Sequence, residues 1–430
     1  MIELESLVER AILVGAPLKR TSSDVATEHI EELARLANTA GAEIVGSLIQ
    51  RIDSPHPRHY LGEGKVEELR QLAEDEDATL VIFDEELSPA QGKNLEELLG
   101  RRIIDRAELI LDIFATRART AEARMQVELA QLQYMLPRLT RMWAHLSRVR
   151  GGAVGMRGPG ETQLETDRRM IRHKIAKLQG DLERVSRQRA TQRKGRQDQF
   201  SVSLVGYTNA GKSSVLRALS GADVFVEDRL FATLDATTRE VDLDEGYHAL
   251  LTDTVGFIRK LPHHLVASFR ATLEEARSAD LLLHVIDASH AGWEEQKEVV
   301  EGVLSDLNLG DRPTVLVFNK VDRLTHDEED QIRLAAEADY VEPAIFVSTM
   351  ESGGLEPVRA LLRERSRQKN PEVRITLPVE SGGLLAEIYR EGEVLELADE
   401  KGRVVVRARI PAATLGRLRN HPEVSLAESG

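Results

Sequence analysis

Eight consecutive residues, Gly206-Tyr207-Thr208-Asn209-Ala210-Gly211-Lys212-Ser213, set two glycines, a lysine and a hydroxyl at the spacing of a phosphate-binding loop. Glycines let the backbone wrap an anion, and successive N–H groups together with a helix N-terminus hold its oxygens. Lys212 then reaches the outer phosphates, the Ser213 hydroxyl ligates Mg²⁺, and Ser214 continues the cradle. The apolar run SVSLV precedes the loop and a helical pattern follows it, which is the strand-to-helix setting this chemistry requires.

Two further clusters follow in order. Asp253-Thr254-Val255-Gly256 ends an apolar segment. Asp253 can hold Mg²⁺ through a water, and Gly256 can give its N–H to a γ-phosphate because no side chain blocks the approach. Asn319-Lys320-Val321-Asp322 follows the run TVLVF. The Asp322 carboxylate can accept from guanine N1–H and the exocyclic amine, whereas adenine presents an unprotonated N1, so GTP is selected over ATP. A turn at Ser348-Thr349-Met350 after AIFV adds a fourth base-contacting candidate. Asp-x-x-Gly or Asn-Lys-x-Asp alone is an ordinary strand-end turn. Their order, each after an apolar run, points to a P-loop GTPase. Phe257 stands where such enzymes often carry the glutamine that orients the attacking water, and it has no donor or acceptor for that task.

Positioning these residues requires alternating strands and helices. From about 198 to 366 buried-strand runs alternate with helical stretches, predicting a doubly wound α/β domain. Residues 10–115 show the same rhythm, with AILVG, AEIVGSLI, ATLVIF and RRIID as strands. Leu129, Leu132, Leu136, Leu139, Trp143 and Leu146, then Ile171, Ile175, Leu178, Leu182 and Val185, fall on two heptad stripes around the glycine-rich GGAVGMRGPGE. Two antiparallel helices with a flexible tip are expected, Pro137 interrupting the first. The C-terminal stretch reads as a small α+β appendage. The expected division is 1–115, 116–196, 197–367 and 368–430.

At 430 residues the chain is multidomain, and its lack of cysteine excludes disulfides, thiolate metal sites and thiol catalysis. No apolar run approaches the ~18 residues of a membrane helix. MIELESLVER lacks the basic flank and apolar stretch of a signal peptide, so a cytoplasmic, monomeric protein without a membrane span is expected. The net charge of −15 is unevenly spread: from Arg138 to Arg196 there are 16 Lys and Arg against 5 Asp and Glu. With 4% aromatic residues, nucleic-acid contact there would be to phosphates rather than by stacking.

Several segments together, YLGEGKVEEL, FDEELSPAQ, IIDRAELILDIFATRARTAEARMQVELAQLQY, RGPGETQLETDRR, GYTNAGKSS, FATLDATTR, DTVGFIRKLP and NKVD, resemble the HflX family of the Obg-HflX group of translational GTPases. The resemblance covers almost the whole chain. It implies an N-terminal α/β domain and helical hairpin before the GTPase domain, and binding of the large ribosomal subunit and its RNA. It also implies splitting or rescue of stalled ribosomes under stress. Phe231-Ala232-Thr233-Leu234-Asp235 then becomes the first switch, Thr233 closing over Mg²⁺ and the γ-phosphate, with Thr237 and Thr238 as the alternatives. Ala236 replaces a proline common in the family, and Thr349-Met350 stand where an alanine usually follows Ser348. Some members also bind ATP in the N-terminal domain, which the GEGK turn could serve. Two other readings compete: a nucleotide-gated ribosome- or RNA-binding module with negligible turnover, and a ribosome-assembly GTPase.

Overall fold

The computed structural model describes residues 8–139, 159–194, 199–221, 230–261, 270–339, 344–400, 402–422 and 424–428. They fall into two compact units. The first comprises 1–186 together with 228–235 and 259–271, and the second comprises 187–227, 236–258 and 272–430. Two short pieces of the central region thus belong to the N-terminal unit.

In the first unit, β1 (Arg10–Gly15), β2 (Glu43–Ile49), β3 (Leu80–Phe83) and β4 (Arg102–Asp105) form a parallel sheet in the order β2-β1-β3-β4. The four strands are those expected from the apolar runs. Ile12, Val14, Val81, Phe83 and Ile103 fill one core with Leu61, Leu69 and Leu95. Helix starts are written locally. Ser88 and Gln91 form a reciprocal capping box with Pro89 in the first turn, Asp105 caps Arg106–Arg117, and Thr120 caps Ala121–Met135.

The first stripe helix ends earlier than its heptads suggest. It stops at Met135 and passes into a 3-10 turn, Leu136–Arg138, because Pro137 cannot donate to the preceding turn. Trp143, Leu146 and residues 151–158 of the glycine-rich stretch lie outside the described residues, while its last three, Pro159 to Glu161, are helical and open the next helix, against the expectation of a non-helical tip. Helix Pro159–Lys194 carries the second stripe: Leu178 is buried and Ile171, Ile175, Leu182 and Val185 are half-buried. Lys174 on it pairs with Glu128 of helix Ala121–Met135.

The second unit holds a six-stranded sheet in the order β10-β9-β8-β5-β7-β6. Its strands are β5 (Phe200–Gly206), β6 (Thr237–Asp242), β7 (His248–Asp253), β8 (Leu281–Asp287), β9 (Thr314–Asn319) and β10 (Ile345–Phe346). All pairs are parallel except β6 with β7. Strand β6 is polar and half-exposed, which is why hydrophobicity does not announce it, and β10 is only two residues long.

The C-terminal appendage runs β11 (Glu372–Pro378), helix Gly382–Glu391, β12 (Glu393–Glu400), β13 (Arg403–Arg409), helix Ala412–Arg419 and β14 (Ser425–Glu428). The antiparallel order β12-β13-β11-β14 is that of a split βαβ domain. Strand β14 completes a sheet for which the sequence predicts three strands. Val373, Ile375, Leu377, Val406 and Ala408 point to the helices, while Arg374–Glu400, Arg407–Glu396 and Arg409–Glu372 pair across the other face. No helix among the described residues is long and apolar enough to cross a membrane.

Candidate nucleotide site

Strand β5 delivers the loop to helix Lys212–Ser220. Gly206 (φ 149°) and Gly211 (φ 98°) take backbone conformations closed to other residues. A Cβ on Gly206 would collide with the Val285 carbonyl on β8, and one on Gly211 with the Asn319 amide. Asn209 also has positive φ, 61°, a conformation asparagine tolerates.

The Asn-Lys-Val-Asp segment braces this loop from the end of β9. Asn319 Nδ2 donates to the Ala210 carbonyl at 3.0 Å, and Lys320 Nζ donates to the Asn209 carbonyl at 2.9 Å. Lys320 also pairs with Asp287, at the end of β8, at 2.6 Å. At the end expected to contact the base, Ser348 Oγ donates to Asp322 Oδ1 at 2.6 Å and accepts from the Met350 N–H at 3.1 Å. The Val321 N–H donates to the Val347 carbonyl at 3.3 Å. Met350 itself is 82% exposed, so at this turn the serine and the backbone are fixed and the methionine side chain is not.

Asp253 is fully buried at the end of β7 and accepts from Ser213 Oγ at 2.6 Å, while Thr254 Oγ1 donates to the Leu204 carbonyl at 2.7 Å. A hydroxyl and a carboxylate held together are hard oxygen donors, the set that suits Mg²⁺ shared with phosphates and water. Lys212 is buried, and Nζ donates to the carbonyls of Gly206 at 3.1 Å and Tyr207 at 2.8 Å. Burial lowers its pKa to about 8, Asp253 opposing the shift and Lys320 adding to it.

The segment after Asp253 lies on the loop. Phe257 pairs with Tyr207 as an isolated parallel bridge: the Thr208 N–H donates to the Phe257 carbonyl at 2.7 Å, and the Phe257 N–H donates to the Gly206 carbonyl at 3.1 Å. The Phe257 ring is 1% exposed. A Cβ on Gly256 would stand 2.7 Å from Thr208 Cα and 3.0 Å from Lys212 Nζ, so only glycine fits there. Thr237 and Thr238 belong to β6, where Thr237 pairs with Asp253 and the Thr238 hydroxyl meets that of Thr252 at 2.9 Å.

The segment expected as the first switch, Phe231 to Asp235, belongs to the N-terminal unit. Phe231 (φ 56°) is buried and meets Phe114 edge-on, ring centroids 4.6 Å apart. Leu234 is buried, and Ala232 and Thr233 are half-buried. The Asp235 carboxylate accepts from the Arg119 and Thr120 N–H groups at 3.2 Å each and from the Thr120 hydroxyl, just before helix Ala121–Met135. That carboxylate is engaged by Thr120, a partner over a hundred residues away that no local pattern reveals. Asp287, also missed, does have a signal, since it ends the apolar run LLLHVID just as Asp253 ends its own strand. In the N-terminal unit, Lys65 of the Gly62–Lys65 turn pairs with Glu68 on its own helix at 2.8 Å.

Three families match in succession: "GTP-binding GTPase N-terminal" over residues 27–115, "GTP-binding GTPase Middle Region" over 117–196, and "50S ribosome-binding GTPase" over 201–320. The GTPase HflX of Magnetococcus marinus is 45% identical over 426 residues, covering 98% of this chain and 97% of the relative. That of Escherichia coli K12 is 43% identical over 413 residues, covering 95% of each. A solved structure described as the SsGBP and GDP complex aligns at 25% identity with a TM-score of 0.47, covering 84% of this chain and 99% of that one. With the glycine-rich loop braced by the Asn319-to-Asp322 segment and relatives matched along nearly its whole length, this chain is a GTP hydrolase and belongs to the GTPase HflX family.

Proposed function

We propose that the protein hydrolyses GTP as a cytoplasmic, monomeric factor on the large ribosomal subunit, and that this cycle splits or rescues stalled ribosomes. The observation carrying the ribosome-dependent part is the buried Phe257 side chain. Ser213 meets Asp253, and Asn319 and Lys320 brace the loop, but position 257, where a water-orienting side chain is expected, holds a ring packed away from solvent. A group supplied in trans then completes catalysis, as activators do for other GTPases. The match of 201–320 to "50S ribosome-binding GTPase" supports the large subunit as its source.

In this reading Gly206 to Ser214 hold the phosphates, Asp322 with the Ser348-to-Met350 turn holds guanine, and Phe231 to Asp235 is the first switch. Ser213, Thr233 and, through water, Asp253 hold Mg²⁺, which when bound neutralises phosphate charge. Lys212, Thr233 and Gly256 act on the transferring group. The 116–196 segment contacts ribosomal RNA phosphates; Arg169 and Arg172 are exposed on helix Pro159–Lys194. ATP binding at the GEGK turn gains no support, since Lys65 is paired within its own helix.

Multiple-turnover phosphate release decides the matter, measured for the protein alone, with large subunits and with intact ribosomes. Large subunits should accelerate turnover by at least ~10²-fold, the lower range for completing a phosphoryl-transfer site. Equal rates in all three would overturn the trans-activation reading. Light scattering of intact ribosomes with GTP tests splitting, and an unchanged signal would return the function to subunit binding or assembly.

A further inference from the structure

The turn after β10, within the second unit, carries an exposed sulfur beside the groups expected to hold the base. Ser348 Oγ accepts from the Met350 N–H at 3.1 Å and donates to Asp322 Oδ1 at 2.6 Å, so two hydrogen bonds tie the Met350 backbone to that carboxylate. Behind it the chain closes on itself. The Gly354 N–H donates to the Glu351 carbonyl at 3.1 Å, and a Cβ on Gly354 would stand 2.2 Å from the Ser348 carbonyl oxygen. Val347 and Ser348 are buried, while Glu351 and Ser352 are exposed and polar. The Met350 side chain, 82% exposed, is the most exposed large apolar side chain among the described residues.

Asp322 addresses only the polar edge of a guanine. The two faces of the ring are apolar π surfaces, which gain by giving up water to an apolar or polarisable neighbour. Lys320 is committed elsewhere, its Nζ held by the Asn209 carbonyl and by Asp287. A thioether suits an aromatic face because it is unbranched, adaptable and polarisable. Sulfur also has a chemistry that other apolar side chains lack. Its lone pair attacks one oxygen of a hydroperoxide, and an S–O bond forms as the O–O bond breaks. The hydroxyl proton passes to the departing oxygen, which leaves hydrogen peroxide as water. The sulfur is oxidised by two electrons, the peroxide is reduced, and a flexible apolar side chain becomes a polar sulfoxide. With no cysteine in the chain, no thiol competes for the oxidant.

We propose that Met350 covers one face of the bound guanine and is a modification site, at which oxidation to the sulfoxide by a hydroperoxide lowers affinity for GTP and GDP alike. The base is common to both nucleotides, so both lose the contact. Nucleotide and oxidant oppose each other at this sulfur: a ring lying on it blocks the peroxide, and a sulfoxide oxygen must shed water to meet a ring face that offers it no hydrogen bond. The inference rests on the base-site reading above and deepens it by naming a regulation of that site.

The experiment treats full-length wild type, Met350→Leu and Met350→Gln with hydrogen peroxide, maps sulfoxide by peptide mass spectrometry, and titrates each protein with fluorescent GDP and a fluorescent non-hydrolysable GTP analogue. Peroxide should weaken both nucleotides about 3- to 10-fold in the wild type, the scale of a lost sulfur–aromatic contact. Methionine sulfoxide reductases for the two epimers should restore both affinities. Met350→Leu should bind equally before and after peroxide, whatever its starting affinity. Met350→Gln, polar from the outset, should bind both nucleotides more weakly than Met350→Leu. Saturating GDP should slow oxidation of Met350 by at least about threefold, because susceptibility follows exposure. It should leave unchanged the oxidation of Met170, 63% exposed on helix Pro159–Lys194. No sulfoxide at Met350, equal rates of its formation with and without GDP, a loss confined to one nucleotide, or the same loss in peroxide-treated Met350→Leu would each overturn the proposal. Failure of the untreated wild type to bind GDP would instead overturn the nucleotide-site reading itself.

Discussion

Thr208 and Phe257 are joined backbone to backbone, the Thr208 N–H donating to the Phe257 carbonyl at 2.7 Å, while the phenylalanine ring is buried with 1% exposure. What this position contributes is therefore main chain and packing, and a different side chain changes the packing without creating a catalyst.

Phe257→Gln should accordingly leave unstimulated GTP turnover within about threefold of wild type. It should also lower the thermal midpoint, because an amide buried without partners costs about 1–3 kcal/mol. The stimulated rate on ribosomes should fall, since productive geometry is lost with small displacements. Steady-state phosphate release checks both arms, and a hundredfold rise in the unstimulated rate would show that this side chain does reach the attacking water.

On the proposed reading, base choice divides between Asp322 and Ser348, whose side chains are hydrogen-bonded at 2.6 Å. Asp322→Asn replaces an acceptor by a donor and should move preference from GTP to xanthosine triphosphate. Ser348→Ala removes only the hydroxyl that orients the carboxylate and should weaken GTP about 3- to 10-fold, the ~1 kcal/mol scale of one hydrogen bond, without changing the preferred base. Competition titrations with the two nucleotides separate the outcomes.

Nucleotide affinity should depend on pH through Lys212. Burial brings the free-state pKa down to about 8, and phosphate oxygens favour the ammonium, so the bound-state pKa is higher and binding takes up a proton above pH 8. Affinity for GDP is then full below pH 8 and falls as pH rises, about tenfold weaker at pH 9 than at pH 7. Lys212→Arg stays charged and should lose the pH slope even if it binds more weakly.

His284 sits on the central strand β8, 1% exposed, its Nδ1 without a hydrogen-bond partner among the described residues. Burial lowers its pKa to about 3, with Lys297 and Lys212 adding to the shift. The unfolded chain takes up the proton below about pH 6.5 while the folded one does not, so stability falls with acidification across the window from 6.5 toward 3. Between pH 7 and pH 5 this amounts to about 2 kcal/mol. Thermal unfolding of His284→Leu should show a shallower pH slope over that window, and an unchanged slope would remove His284 as its source.

The settings of the expected nucleotide-binding segments were legible before any coordinates. The loop from Gly206 to Ser213 and the Asn319-to-Asp322 segment are each contiguous in sequence, and together with Asp253 they stand at the ends of β5, β9 and β7, where the apolar runs put them. The four strands of the N-terminal sheet were equally legible, because parallel strands buried on both faces are written as continuous apolar runs. Pro137 announced the end of its helix for the covalent reason that it lacks an N–H. Strands β6 and β14 were not legible, since each lies at a sheet edge where little hydrophobic pattern is needed. Nor was the destination of Asp235 or Lys260. Their partners, Thr120 and Asp84, lie 115 and 176 residues away, and a buried charge is tolerable only beside groups that the whole fold brings to it. Sequence alone determined that this chain handles a guanine nucleotide. Tertiary structure alone decided that residues 228–235 and 259–271 pack within the first compact unit, because pairing distant buried charges requires the folded chain.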